Sequence, residues 1–224
     1  VKNKNRPITF LDDRLVFPPV EMANPEGLLA VGGDLSPERL ILAYRNGIFP
    51  WFNEDSLILW WSPDPRMVLY PSKVRITKSM RNTLNKGLFK ITKDEAFGEV
   101  IEQCAKAPRP GQNGTWITRE MIEAYKHLHH KGIAHSYEAW KGGELVGGLY
   151  GLDLGHVFCG ESMFSKADNA SKCALISMAR ELEELNYKLI DCQLHTTHLE
   201  SLGAELISRA RYLDILQGKY KGGV

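Results

Sequence analysis

The chain has 224 residues, 43% hydrophobic and 25% charged, the make-up of a globular protein long enough to bury a substantial core in one large domain or a domain with a smaller annex. A net charge of +1 excludes a globally basic surface, so any site for a polyanion must be a local patch. No apolar run approaches the ~20 residues of a membrane span, and "VKNKNRPITF" lacks the apolar stretch of a signal peptide, so no membrane partner is expected.

In chain order, the first sixty residues are rich in Pro and Gly and read as a small, loop-rich annex. It holds one clear helix: Ser36 can cap it, Pro37 sits in its first turn, Leu40, Ile41 and Tyr44 form its apolar stripe, and Gly47 follows its end. "LILWW" (57–61) and "MVLYP" (67–71) are strands around the turn-rich "SPDPR". From about residue 65 strands and helices alternate: a helix near 78–85, the strand "LFKIT", a helix over "DEAFGEVIEQCAKA", and a longer helix from Thr118 closed by Gly132. Residues 133–164 supply three strands joined by the turn signals "KGGE" and "DLGH". A helix follows with Ala174, Leu175, Met178, Leu182 and Leu185 on one face, then the strand "KLIDCQLH", then two short helices, "THLESLGAE" and "SRARYLDILQ". This order predicts an α+β, or mixed α/β, fold with the small domain over residues 1–64 and the main domain over 65–224. The four scattered cysteines form no CxxC pair and suggest neither a zinc knuckle nor a disulfide framework, which fits a reducing cytoplasmic setting.

Three places depart from what a plain core requires. In "KLIDCQLH", Asp191 and Gln193 lie two apart, so in an extended strand both project from one face, at a strand end where α/β sheets commonly bind ligands. The rival reading makes Asp191 a helix cap or a salt-bridge partner. In "FCGESMFS", Glu161 stands among small and apolar residues, a carboxylate that needs a partner such as a substrate ammonium. Ser162 is not a nucleophile elbow, because Phe164 occupies a position that motif reserves for Gly. Trp51 and Trp116 lie in loops beside Gly and Pro, where a ring can serve as a stacking platform; Trp60 and Trp61 read as strand core. The histidines of "HLHH", and His195 with His198, lack a third ligand at metal spacing, and no metal site is expected. Residues 72–90 carry Lys73, Arg75, Lys78, Arg81, Lys86 and Lys90 with no acidic residue, a candidate for phosphate-backbone binding set against an ordinary solvated face.

Taken together, "NPEGLLAVGGDLSPERLILAYRNGIFPWF", "LWWSPDPR", "GTWIT", "LVGGLYG", "FCGESMFS", "ASKCAL", "LIDCQ" and "HLESLGA" resemble the leucyl/phenylalanyl-tRNA–protein transferases of bacteria, in the same order from about residue 15 to 215. The resemblance implies a GNAT-like acyltransferase domain behind the small N-terminal one. It also implies an activity: moving Leu or Phe, less readily Met, from aminoacyl-tRNA to the α-amine of proteins beginning with Arg or Lys, which marks them for N-end rule degradation. No cofactor, neither CoA nor metal, is implied, and a cytoplasmic monomer is expected. The missing [RQ]-x-x-G-x-[GA] pyrophosphate loop agrees with a donor other than CoA. By resemblance Asp191 and Gln193 are the catalytic pair, and Tyr44, Trp51, Trp116 and Glu161 surround the terminal adenosine and the acceptor terminus. Leu149, Phe158, Leu175, Met178 and Ile190 line the pocket for the transferred side chain, and the stretch 72–90 holds the acceptor stem. The alternatives carried forward are a CoA-dependent N-acetyltransferase and a non-catalytic tRNA-binding module.

Overall fold

The computed structural model describes residues 8–108 and 115–219. Its N-terminal part holds a four-stranded sheet in the order β1 (Thr9–Leu11), β2 (Leu28–Gly32), β4 (Leu59–Trp61), β3 (Phe49–Pro50). Strands β1 to β3 were not expected, because Pro and Gly interrupt every run long enough to show alternation. Helix α1 (Pro37–Arg45) starts as its sequence predicts, with the Ser36 hydroxyl accepting from the Arg39 N–H and Pro37 at its first position. Arg39 is fully buried; it donates to Asp34 at 3.1 Å and to the carbonyls of Asp12 and Arg14 at 2.8 and 3.1 Å, stitching the loops before and after β2 to the helix.

The remaining strands form a seven-stranded sheet in the order β11 (Glu205–Ile207), β5 (Arg66–Leu69), β10 (Leu189–Gln193), β9 (Val157–Ser165), β8 (Glu144–Asp153), β7 (Ala134–Lys141), β6 (Lys90–Lys93). All its neighbours are antiparallel except β9 and β10, which α5 (Ala170–Glu184) joins as a crossover. Helix α5 covers one face of this sheet, burying Ala174, Leu175, Met178 and Leu182 against Leu149, Phe158 and Ile190. The other face is covered by α3 (Phe97–Lys106), α4 (Arg119–His130) and α7 (Arg209–Leu216), whose buried side chains share one core with Leu29, Leu40, Tyr44 and Trp60 of the N-terminal part. Trp60 is core as expected, fully buried with its indole N–H donating to Gly32.

Two boundaries move for identifiable reasons. The helix expected from residue 94 begins at Phe97 because Asp94 adopts φ +60° and turns its carboxylate to the backbone N–H of Ser136 and the ring of His135. The helix expected to run to residue 205 is only α6 (Thr197–Ser201); Gly203, at φ +104°, turns the chain into β11, which closes the sheet edge against β5. A Cβ at Gly203 would come within 2.6 Å of the Lys73 carbonyl, so that turn needs glycine. Among the described residues no helix is long and apolar enough to cross a membrane.

Candidate active site

The parallel ladder between β9 and β10 runs from Leu189–Val157 to Asp191–Cys159 and goes no further, although β9 extends to Ser165 and β10 to Gln193. Both strands bulge where they part. In β9, Gly160 pairs with Gly151 and Ser162 with Tyr150, leaving Glu161 as the extra residue; in β10, Asp191 pairs with Val68 and Gln193 with Met67, leaving Cys192 extra. Bulges re-aim side chains and end pairing, and here two side by side deliver Glu161 and Gln193 to one place.

Asp191 is fully buried and saturated with donors. Its Oδ1 accepts from Arg66 Nε at 2.8 Å and from the Gln193 backbone N–H at 3.0 Å; its Oδ2 accepts from Arg66 Nη2 at 2.7 Å and the Tyr212 hydroxyl at 2.8 Å. Arg66, 1% exposed, lies between the rings of Phe49 and Tyr212 and also donates to the Gly47 carbonyl. Burial alone would depress the guanidinium, but the Asp191 carboxylate carries it above its ordinary range, so it stays charged. Of the two readings open for Asp191, this geometry fills the salt bridge: the carboxylate has no lone pair left for a substrate proton.

Gln193 sits at φ +57°, in the left-handed region that costs an L-residue ~1–2 kcal/mol. The Asp191 carboxylate holds it there by its N–H, and its side chain reaches Glu161, Nε2 to Oε1 at 3.4 Å. An ionised carboxylate only accepts, so this contact turns the amide N–H toward Glu161 and leaves the amide oxygen available as an acceptor. Glu161 also accepts from Tyr44 at 2.7 Å and from Tyr125 at 3.1 Å, and the two phenol oxygens touch each other. Three close contacts thus share two phenol protons, an arrangement eased when Glu161 is itself protonated. Burial pushes Glu161 up to about 7, against the two phenols, which pull it down; burial also raises both phenols well above their ordinary range, so they stay protonated donors.

The structure therefore gathers Tyr44, Glu161, Asp191 and Gln193 into one hydrogen-bonded cluster. Trp51 and Trp116 are partly buried and pack on the edge of the same core, Trp51 tilted against Trp61 at 5.6 Å. Gly114 of "GTWIT" lies outside the described residues. Leu149, Phe158, Leu175, Met178 and Ile190 do pack together, at 1–4% exposure, but on the opposite sheet face from Asp191, as a closed wall. Met163 and Cys192 are partly buried and pack against that wall. Lys73, Arg75, Lys78, Arg81, Lys86 and Lys90 are all exposed, on or flanking α2 (Lys78–Asn85).

Sequence reasoning missed Arg66, Tyr125, Tyr212, Met163 and Cys192. For Arg66 a signal existed: a buried Asp191 demands a cation, and Arg66 is the charge that opens a strand of otherwise apolar residues.

The model of the family "Leucyl/phenylalanyl-tRNA protein transferase" matches residues 68–217, and that of its N-terminal domain matches 33–64. A leucyl/phenylalanyl-tRNA–protein transferase of Flavobacterium johnsoniae is 60% identical over 210 residues, covering 94% of this chain and 99% of the relative. One from Nitrosomonas europaea is 59% identical over 198 residues, covering 88% and 84%. Among solved structures, a conserved protein of unknown function from Bacteroides thetaiotaomicron is a distant likeness, with a TM-score of 0.46 at 15% identity over 69% of this chain and 55% of that one. With both family models and near-full-length relatives in agreement, the chain belongs to the leucyl/phenylalanyl-tRNA protein transferase family.

Proposed function

We propose that this protein moves Leu or Phe, and less readily Met, from aminoacyl-tRNA to the α-amine of proteins that begin with Arg or Lys, marking them for N-end rule degradation. The setting is the cytoplasm, the working unit a monomer, and the acyltransferase domain a GNAT-like one beginning near residue 65. The observation that carries the reading is the pair of adjacent bulges that bring Glu161 and Gln193 into contact where β9 and β10 part.

The donor ester is already activated, so the amine must chiefly be neutral, close and oriented. Free α-amines have pKa ~7.7–8.0, so part of the acceptor is neutral at pH 7. The Gln193 amide oxygen accepts from the amine N–H and turns the nitrogen lone pair toward the ester carbonyl. The C–N bond forms as the carbonyl pair moves to oxygen; that pair then returns, the bond to the ribose 3′ oxygen breaks, and the amine proton ends on that oxygen. Asp191 is a positioning residue that fixes Gln193 by its backbone, and Glu161 fixes the orientation of its amide. Trp51 and Trp116 offer faces for the terminal bases, each stack worth ~1–3 kcal/mol regardless of sequence. The exposed cations from Lys73 to Lys90 take the acceptor stem. Lys78 opens α2, where a cation opposes the helix dipole, so this charge is placed at a cost to local stability that phosphate binding would offset.

Labelled Phe-tRNA mixed with an Arg-starting peptide, with and without acetyl-CoA, tests the reading. Label on the peptide N-terminus without acetyl-CoA is expected. Acetylation dependent on acetyl-CoA would make it an acetyltransferase, and tRNA binding with no product a binding module.

A further inference from the structure

Asp191 can hold Gln193 only as firmly as it is itself held, and the groups that hold it come from three distant parts of the chain. Arg66 opens β5, Gly47 and Phe49 belong to the turn between α1 and β3, and Tyr212 stands in the middle of α7. The Arg66 guanidinium is fixed in its own right: Nη1 donates to the Gly47 carbonyl at 3.3 Å, and its carbon lies 4.8 Å from the centre of the Phe49 ring and 4.7 Å from that of Tyr212. From there Nε and Nη2 meet one oxygen each of Asp191, a fork that sets the plane of the carboxylate. Tyr212 acts twice, with its ring on the guanidinium and its hydroxyl on Asp191 Oδ2 at 2.8 Å.

Helix α7 is tied at both ends. The Ser208 hydroxyl caps it by accepting from the Arg211 N–H, the Arg209 N–H donates to Asp64 at 3.1 Å, and Arg209 Nη1 donates to the Ser62 carbonyl. At the other end His156 Nε2 donates to the carbonyls of Ile215 and Leu216, both at 3.1 Å. Ser62 and Asp64 lie in the turn that leads straight into Arg66, so one segment places both the guanidinium and the start of α7. The turn after α1 presses on the middle of the helix: a Cβ at Gly47, which adopts φ +71°, would stand 2.7 Å from Leu213 and 3.1 Å from the Tyr212 ring.

A buried ion pair is weak grounds for stability, because desolvation offsets much of its attraction and an apolar pair of like volume fills a core as well. What the ion pair supplies that an apolar pair lacks is a directed contact at a chosen atom. Here that atom is the N–H of Gln193, 3.0 Å from Asp191 Oδ1, in a residue held at φ +57° against its own preference. We propose that Arg66 and Tyr212 are positioning residues for the transfer: by fixing both oxygens of Asp191 they keep Gln193 in its left-handed turn with its amide against Glu161. The inference rests on the reading that the Gln193 amide accepts from the attacking amine. Through Gly47 and Phe49 it also makes the N-terminal part a support of the reacting centre.

Tyr212→Phe removes the hydroxyl and keeps the ring on Arg66, which separates the contact to Asp191 from packing. Transfer of Phe from Phe-tRNA to an Arg-starting peptide is measured for this variant alone and in a Gln193→Ala background, well below the melting temperature of each protein. The single-turnover rate should fall about 3- to 12-fold, the restraint of roughly one hydrogen bond, with KM for Phe-tRNA unchanged. The Gln193 backbone amide proton, followed by NMR, should move upfield as its hydrogen bond to the carboxylate weakens. In the Gln193→Ala background the same change should alter the rate less than about twofold, because the group it positions is gone. The Arg66→Met/Asp191→Leu protein should stay folded, yet transfer more slowly than the wild type and show the same displaced amide proton. An equal fall in both backgrounds, a raised KM with kcat kept, a wild-type rate in the Arg66→Met/Asp191→Leu protein, or an unmoved amide proton overturns the assignment. If Gln193→Ala transfers at the wild-type rate, or the wild type transfers nothing, the reading of the Gln193 amide fails, and the amide proton still decides whether Arg66 and Tyr212 hold that residue.

Discussion

Replacing Gln193 by Gly and, separately, by Ala splits the strain at this position from its chemistry. At φ +57° an L-residue carries ~1–2 kcal/mol of steric cost, which Ala retains and Gly sheds. Glycine's extra freedom in the unfolded chain takes back ~0.5–1 kcal/mol. The Gly variant should therefore match or exceed the Ala variant in stability by up to about 1.5 kcal/mol in urea unfolding. At an ordinary extended position the order would reverse. Both variants lose the amide oxygen that accepts from the attacking amine; a hydrogen bond to a group gaining charge is worth ~1.5–3 kcal/mol, so single-turnover transfer should drop by about 10- to 150-fold in each. A Gly variant less stable than the Ala variant by ~0.5–1 kcal/mol would refute the strain argument. Wild-type transfer by either variant would refute the role of the amide.

The Arg66–Asp191 pair predicts an asymmetry: Asp191→Asn should cost about 3–5 kcal/mol, because it leaves a 1%-exposed guanidinium without its counter-charge, whereas the double change Arg66→Met with Asp191→Leu should cost much less. Calorimetric melting of the three proteins checks it, and a double variant as destabilised as Asp191→Asn would contradict it. Glu161 contributes a pH dependence of stability. Its folded pKa of about 7 lies above its ordinary 4.5, so the folded state holds a proton the unfolded state has lost between those values; stability is fullest below 4.5 and falls as pH rises toward 7, by at most roughly 3 kcal/mol before discounting for solvent reach. Glu161→Gln should flatten that slope. Lys78→Glu should weaken tRNA binding and reduce its salt slope by about 0.9 for each phosphate left unneutralised, yet stabilise α2 by ~0.3–1 kcal/mol because an acid suits the first turn. Met178→Ala opens a cavity in the apolar wall, costs about 2–5 kcal/mol and should shift the Phe-to-Leu transfer ratio; an unchanged ratio would show that the donor side chain does not reach that wall.

Part of the candidate cluster was legible because its residues break local rules. Asp191 and Gln193 are polar where a strand should be apolar, and Glu161 is a carboxylate in a run of small residues. The partners that explain them were not legible, since Arg66 lies 125 residues from Asp191 and Tyr44 lies 117 from Glu161, and only the folded sheet brings them together. The two bulges were equally hidden: each depends on register against a neighbouring strand, which one strand's sequence does not carry. Helix α4 was read with ends close to those observed, because the Thr118 cap and the glycine behind its last turn are local signals. Strand β11 was lost because "THLESLGAE" has helical spacing up to Gly203, and it is the glycine's left-handed turn, rather than the flanking residues, that sends the chain back along β5.

The account stands most directly on the claim that an ionised Glu161 orients the Gln193 amide toward the attacking amine. Single-turnover transfer of Phe to an Arg-starting peptide, measured from pH 5.5 to 9 with saturating Phe-tRNA (roughly the span of the Glu161 and α-amine titrations), addresses it. The wild-type rate should climb through a limb near 7 as Glu161 ionises and through a second as the acceptor amine is freed; Glu161→Gln should keep only the second, at a lower plateau. Superimposable profiles for the two proteins would contradict it.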